Sequence, residues 1–183
     1  MVETFNSDER FSAALTNATS NFDSREELGC MITDAIRSVS GADFAFQNTG
    51  GVRVPYLKKG PITVKDVYTI DPFNNDVIVY QMTGAQVKHF ILNSFRKNGG
   101  YPSYVSGMTY KMSDDGNNVW VDRDGGFSTK QTYKVAFNSY MASTIDVRSE
   151  DEGRSTFMTS EEMIIEYLRK HKTVDYQGVS RTK

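Results

Sequence analysis

Disulfide chemistry is closed to this chain. Only one of its 183 residues is cysteine, Cys30, so no intrachain bridge and no zinc–cysteine cluster can form. In its apolar helical context Cys30 reads as a small buried residue. Histidine is nearly as scarce. His89 lies between Lys88 and Phe90, and His171 follows Arg169 and Lys170, where a cation suits a helix end. Neither has a companion at metal-ligand spacing. No Asp-x-His or Gly-Asn-His motif occurs, so the sequence lacks the clustered Asp, His and Asn ligands with which a dinuclear metal site activates water. No apolar run approaches the ~20 residues of a membrane-spanning helix. Met1-Val2-Glu3-Thr4 has neither the basic start nor the apolar core of a secretory signal. The expectation is a cytoplasmic chain as written, or a piece cut from an exported protein. Positive charge is not in excess either: 21 Lys and Arg stand against 23 Asp and Glu, for a net charge of −2. A nucleic-acid polymer is therefore a poor partner. The acidic stretches Asp114-Asp115 and Glu150-Asp151-Glu152 read as solvated turns.

What is present is enough for one sizeable core, with 11 Phe and 10 Tyr spread along the length. Residues 1–23 are polar and read as a leading arm or linker remnant; residues 24–183 read as the domain. Ser24 to Glu27 has the form of a capping box, and Leu28, Met31, Ile32, Ala35, Ile36 and Val39 recur at helical spacing up to a stop at Gly41. Ala42 to Gln47 reads as a short buried strand. Thr63 to Ile70 reads as a helical turn and strand with Val64, Val67 and Ile70 inward, and Val77 to Met82 as a strand. Thr83 caps a second helix that ends at Asn98-Gly99-Gly100. Tyr104 to Met112 alternates as a strand. Turns at 114–118 and 124–126 separate it from Val119-Trp120-Val121 and from a strand over Tyr133 to Tyr140. Thr159 opens a last helix through Met163, Ile164, Tyr167 and Leu168. Helices and strands without strict βαβ alternation predict an α+β fold, a mixed β-sheet with packed helices.

The richest segment is Asn48-Thr49-Gly50-Gly51-Val52-Arg53, followed by Asp71-Pro72-Phe73-Asn74-Asn75-Asp76. Gly50 and Gly51 let the backbone pass close to a ligand or turn with positive φ. Asn48 offers a donor and an acceptor, and Arg53 a planar fork for phosphate or carboxylate. Phe73 presents a ring beside two amides. An anion clamp near an aromatic platform suits a nucleotide. Each residue also has a plainer reading. Asn48 and Arg53 could be a turn former and a surface charge, Asn75 another turn former, and Phe73 a core ring after a proline turn.

The pattern Asn-x-Gly-Gly-Val-Arg, then Gly60-Pro61-Ile62-Thr63 with Asp66-Val67-Tyr68, then Pro72-Phe73-Asn74-Asn75, then Met82-Thr83-Gly84, resembles the C-terminal domain of the 5'-nucleotidase / UDP-sugar hydrolase family. Weaker likenesses lie at Leu28 to Ala35 and at Tyr133 to Tyr140, so the resemblance runs over roughly residues 20 to 180. It implies a fold like that domain's and a substrate-recognition role within a phosphohydrolase. It implies substrate contacts at Asn48, Gly50, Gly51 and Arg53, a base-stacking ring at Phe73 and a base-contacting amide at Asn75. Removing such a stack generally costs roughly 1–3 kcal/mol. The implied ligand is a nucleoside monophosphate or related nucleotide. The implied partner is a metallophosphatase domain or chain that carries the divalent metals, with no cofactor on this chain and no catalysis by it alone. The resemblance also suggests a periplasmic or extracellular setting.

The sequence departs from the family at the second stacking ring. A run such as Gly-Gly-Asp-Gly-Phe should follow the late strand, but Ser139-Tyr140-Met141-Ala142 continues into Ser143-Thr144-Ile145-Asp146-Val147. Phe157 can supply the ring from a rebuilt loop, or pack on the last helix, with Tyr140 as a further substitute. An arginine the family carries before the opening helix is Phe22 here, with Arg25 nearby. A stand-alone, non-catalytic binding or scaffold module is the alternative to a nucleotidase recognition domain.

Overall fold

The structure, a computed structural model, describes residues 9–98, 100, 103–144 and 151–182. Its first long helix forms as its apolar periodicity predicts, but the capping box is half made, since the Glu27 carboxylate accepts the Asp23 N–H and not that of Ser24. Ser24 Oγ accepts the Glu27 N–H, and helix α2 (Arg25–Ser40) ends at Gly41 in the left-handed conformation. Leu28, Met31, Ile32, Ala35 and Ile36 are all fully buried along one face. A one-turn helix α1 (Glu9–Ser12) precedes it.

Five strands make the central mixed sheet, in the order β5 (Ser103–Ser106), β2 (Phe44–Asn48), β8 (Thr132–Asn138), β4 (Asp76–Thr83) and β9 (Arg154–Thr159). Strand β2 runs parallel to β8 and antiparallel to β5, while β4 is antiparallel to both β8 and β9. Residue size alternates through the middle of the sheet. Ala45 and Ala136 join the core under α2 and the last helix, α6 (Ser160–Lys170). Phe44, Phe46, Val135 and Phe137 point to the other face, under α4 (Gly84–Asn98) with its Val87, Phe90 and Ile91. Small residues let helices approach one face, and interlocking rings fill the other: Phe46 and Phe137 stack at 5.5 Å, with Phe90 edge-on to both.

Several elements differ from the sequence expectation. The polar stretch expected as an arm is built into the domain where it is described. β1 (Ala14–Ala18) lies between β10 (Thr173–Val174) and β3 (Gly60–Thr63) in a second sheet. Phe22 is buried, bridges Leu57 and stacks on Tyr176. Backbone pairing and one ring outweigh the polar composition. The helical part of 63–70 occupies the whole segment, as α3 (Val64–Ile70), because Thr63 and Asp66 form a reciprocal capping box. Its inward residues Val64, Val67 and Ile70 are as expected.

The alternation over 104–112 is two strands in different sheets. β5 ends at Ser106, and β6 (Thr109–Met112) pairs with β7 (Val119–Asp122). The break is Gly107, at φ +87°, where a Cβ would lie 2.1 Å from the Asp43 carbonyl oxygen. The late strand stops at Asn138, and Ser139 and Tyr140 open a short helix, α5 (Ser139–Thr144).

Candidate functional site

Topology collects the motif residues at one edge of the central sheet. Phe46 of β2 lies beside Phe137 of β8, Asn138 beside Val77 of β4, and Asp76 beside Thr159 of β9. The C-terminal ends of β2, β8 and β9 and the N-terminal end of β4 therefore share one rim. Asn48 leaves β2 there into a single 3-10 turn, Thr49–Gly51, and Arg53 follows. The Arg53 N–H donates to the Ile70 carbonyl at 2.9 Å, tying this loop to the end of α3 and so to the turn at 71–75.

A buried amide network sets the geometry of Asn48. The Asn138 Nδ2 donates to Gln47 Oε1 and to Asn48 Oδ1, both at 2.8 Å, and Asn138 Oδ1 accepts the Met141 N–H at 2.8 Å. With its oxygen engaged, Asn48 is left to donate from Nδ2. Any side chain at Gly51 would have to displace the Gln47 amide. A Cβ would stand 2.3 Å from Gln47 Nε2 and 3.2 Å from Asn48 Oδ1.

Arg53 and Phe73 meet. The guanidinium carbon lies 5.5 Å from the ring centroid, within cation–π range. Both side chains are exposed, Phe73 by 45%. Phe73 is thus a loop tip and not a core ring. Arg53 faces no carboxylate among the described residues, so its charge is open to an anion. Asn74 takes a left-handed φ of 53° and donates its N–H to Glu161 Oε1 at 2.5 Å. Asn75 is fixed on two sides: its carbonyl accepts the Ser160 N–H at 2.9 Å, and its Oδ1 accepts from Ser139 Oγ at 3.2 Å.

Two further aromatics stand on the same rim. Phe157 is 91% exposed, with φ +58°, in a bulge of β9 between the pairs Ile78↔Ser155 and Asp76↔Thr159. It does not pack on α6, the plainer of its two expected places. Tyr140, in the first turn of α5, is 54% exposed. Of the segment where a glycine run was sought, 145–150 lies outside the described residues. Phe22, standing where the resemblance expects an arginine, belongs to the core.

The histidines have ordinary surroundings. His89 Nε2 lies 2.8 Å from Asn93 Nδ2, and His171 caps α6, its Nδ1 2.7 Å from the Tyr167 carbonyl oxygen. Among the described residues, no group of three or more His, Cys, Asp and Glu is placed to hold a metal ion. No helix among them is long and apolar enough to cross a membrane.

Sequence reasoning missed the residues beneath the site. Gln47 and Asn138 are polar positions inside apolar strands, a signal that could have marked them. Asp71 stands in a turn and Glu161 in the first turn of a helix, places where acids are ordinarily solvated, yet both are fully buried. Burial, opposed by Ser160 and the Phe73 amide and helped by the charge of Glu161, raises the Asp71 carboxyl to about 7.

A mixed sheet flanked by helices, with an arginine–phenylalanine pair and an amide network on one rim, makes this an α+β domain. The family model for the 5'-nucleotidase C-terminal domain matches residues 6–148, and the chain belongs to that family. It is 32% identical over 129 residues to the endonuclease YhcR of Bacillus subtilis, spanning 69% of this chain and 10% of that protein. It is 30% identical over 156 residues to a 5'-nucleotidase of Vibrio parahaemolyticus, spanning 81% of this chain and 27% of that protein. The fold matches a crystal structure of a 5'-nucleotidase precursor from Thermus thermophilus with a TM-score of 0.83 and 24% identity, over all of this chain and 41% of that one. The chain thus corresponds to a minor part of the length of each of these proteins.

Proposed function

We propose that this rim is the substrate-recognition site of a 5'-nucleotidase-type phosphohydrolase and takes a nucleoside monophosphate or a related nucleotide. The observation that carries the reading is the Arg53–Phe73 pair, a guanidinium with no carboxylate against it among the described residues, beside an exposed ring. Arg53 would hold a phosphate oxygen by charge-assisted hydrogen bonds, and Asn48 would donate to a ribose hydroxyl across the Gly50–Gly51 backbone. The base would stack on Phe73, with Asn75 reading its edge and Phe157 supplying the second ring. The support for Phe157 is its exposure and its strained backbone, which a site tolerates when the position is useful.

Hydrolysis would belong to a metallophosphatase domain or chain holding the divalent metals. This chain would position the nucleotide and leave the water attack to that partner. The family's enzymes point to a periplasmic or extracellular setting.

Calorimetric titration of AMP, adenosine and a UDP-sugar, with and without divalent metal, tests the reading. Metal-independent binding of AMP is expected. Phe73→Ala should weaken it by roughly 1–3 kcal/mol, about ten- to a hundredfold in Kd. A folded chain that binds none of the three ligands would overturn the assignment.

A further inference from the structure

The turn that carries Phe73 is bracketed by two buried carboxyl groups with unequal surroundings. Asp71 opens the turn and is fully buried, and neither of its oxygens has a hydrogen-bond partner among the described residues. Ser160 and the Phe73 amide lie close enough to act on it without reaching hydrogen-bond geometry. It also stands at the C-terminal cap of α3, the end of a helix that disfavours an anion. Glu161 is as deeply buried but is provided for. It lies in the first turn of α6, where the helix favours negative charge. It accepts the Asn74 N–H at 2.5 Å and the Ser160 hydroxyl at 3.3 Å.

The other charges nearby are engaged elsewhere. Asp66 of α3 accepts from Thr63 at 2.8 and 2.6 Å, Glu162 of α6 accepts the Thr159 N–H at 2.9 Å, and Arg53 lies over Phe73. Glu161 is the charge among the described residues that acts on Asp71. A buried carboxylate without hydrogen bonds is expensive, and the charge of a second buried carboxylate nearby makes it more so.

We propose that Asp71 is kept as the neutral acid and acts as a positioning residue: its ionisation sets two like charges under the Phe73 turn, loosens it and weakens nucleoside binding at the rim. The binding half rests on the nucleotide reading; the protonation half does not. The direction of the pH effect follows from the burial. An acid raised from the ordinary carboxylate value of 3.8 to about 7 contributes stability that is fully present below the ordinary value and is lost as pH rises through about 7.

The test is a pH titration of the 183-residue chain, followed by carboxyl 13C NMR, with Asp71→Asn to assign the resonance. The Asp71 carboxyl is expected to titrate near 7, and a midpoint near 4 would overturn the proposal. The second arm is adenosine binding at pH 6 and pH 8.5, a probe with no phosphate to titrate. Wild type should lose affinity roughly tenfold between the two, the equivalent of one unit of pKa difference between free and bound chain. Asp71→Asn, uncharged at both pH values, should hold its affinity, and its melting temperature should stay level where that of wild type falls. A variant that keeps the wild-type pH dependence would overturn the coupling. Absence of adenosine binding at both pH values would overturn the nucleotide reading and the binding half together, and the carboxyl resonance would then decide the protonation half alone.

Discussion

Asn138 contributes no atom that the motifs would single out, yet its side chain makes three internal hydrogen bonds, to Gln47, Asn48 and Met141. Replacing it with alanine would leave Gln47 Oε1 and the Met141 N–H unpaired in the interior and Asn48 Oδ1 unpaired where it is partly buried. Such groups cost about 1–3 kcal/mol each when stranded, less what relaxation recovers. Asn138→Ala is therefore expected to lower the unfolding free energy by about 2–4 kcal/mol in urea titrations. Its AMP affinity should fall as well, because Asn48 loses the bond that orients it. Asn48, Arg53 and Phe73 could be read in the sequence because their motif is local. Asn138 shows in the sequence only as a polar position in an apolar strand, and Asp71 not at all, because what fixes their roles is contact with segments far along the chain.

At the scale of elements, the site is suspended between two capped helices. Thr63 and Asp66 start α3 and Thr159 and Glu162 start α6, each as a reciprocal box, so the turn at 71–75 leaves one fixed helix end and rests against the start of another. The start of α6 at Thr159 and the apolar periodicity were visible in the sequence, where 63–70 reads as a helical turn and strand without a box at Thr63. The bulge in β9 was not visible, since nothing about Arg154–Thr159 announces a left-handed residue. At φ +58° Phe157 carries strain of roughly 1–2 kcal/mol that glycine would not. Phe157→Gly should thus reach a urea midpoint no lower than that of wild type, against the ordinary loss of about 0.5–1 kcal/mol for glycine in a strand. The same substitution should weaken AMP binding about ten- to a hundredfold, as loss of a stacking ring does, and Tyr140→Ala should leave it nearly unchanged. A clear loss of stability in Phe157→Gly would mean that the ring packs after all.

Over the whole molecule, the last thirty-odd residues are structural. The family model stops at 148, but α6 buries Met163, Ile164 and Leu168 completely in the core it shares with α2, and β10 pairs with β1. Arg181 reaches back to Asp34 at 2.7 Å, and the Tyr176 hydroxyl donates to the same carboxylate at 2.9 Å. A chain ending at residue 148 is expected to lose cooperative unfolding by circular dichroism, since three fully buried apolar side chains alone account for roughly 5–9 kcal/mol of burial. A sharp, wild-type-like transition would contradict that account. Periodicity, capping residues and glycine-bearing loop motifs were enough to establish the α+β class, most helices and strands, and the family, because each depends on neighbours within a few positions. The rim itself depended on strand order and register. Those alone bring Asn48, Phe73, Asn138 and Phe157 to one edge and bury Asp71 against Glu161, since proximity between distant segments is a property of packing and leaves no mark in any one of them.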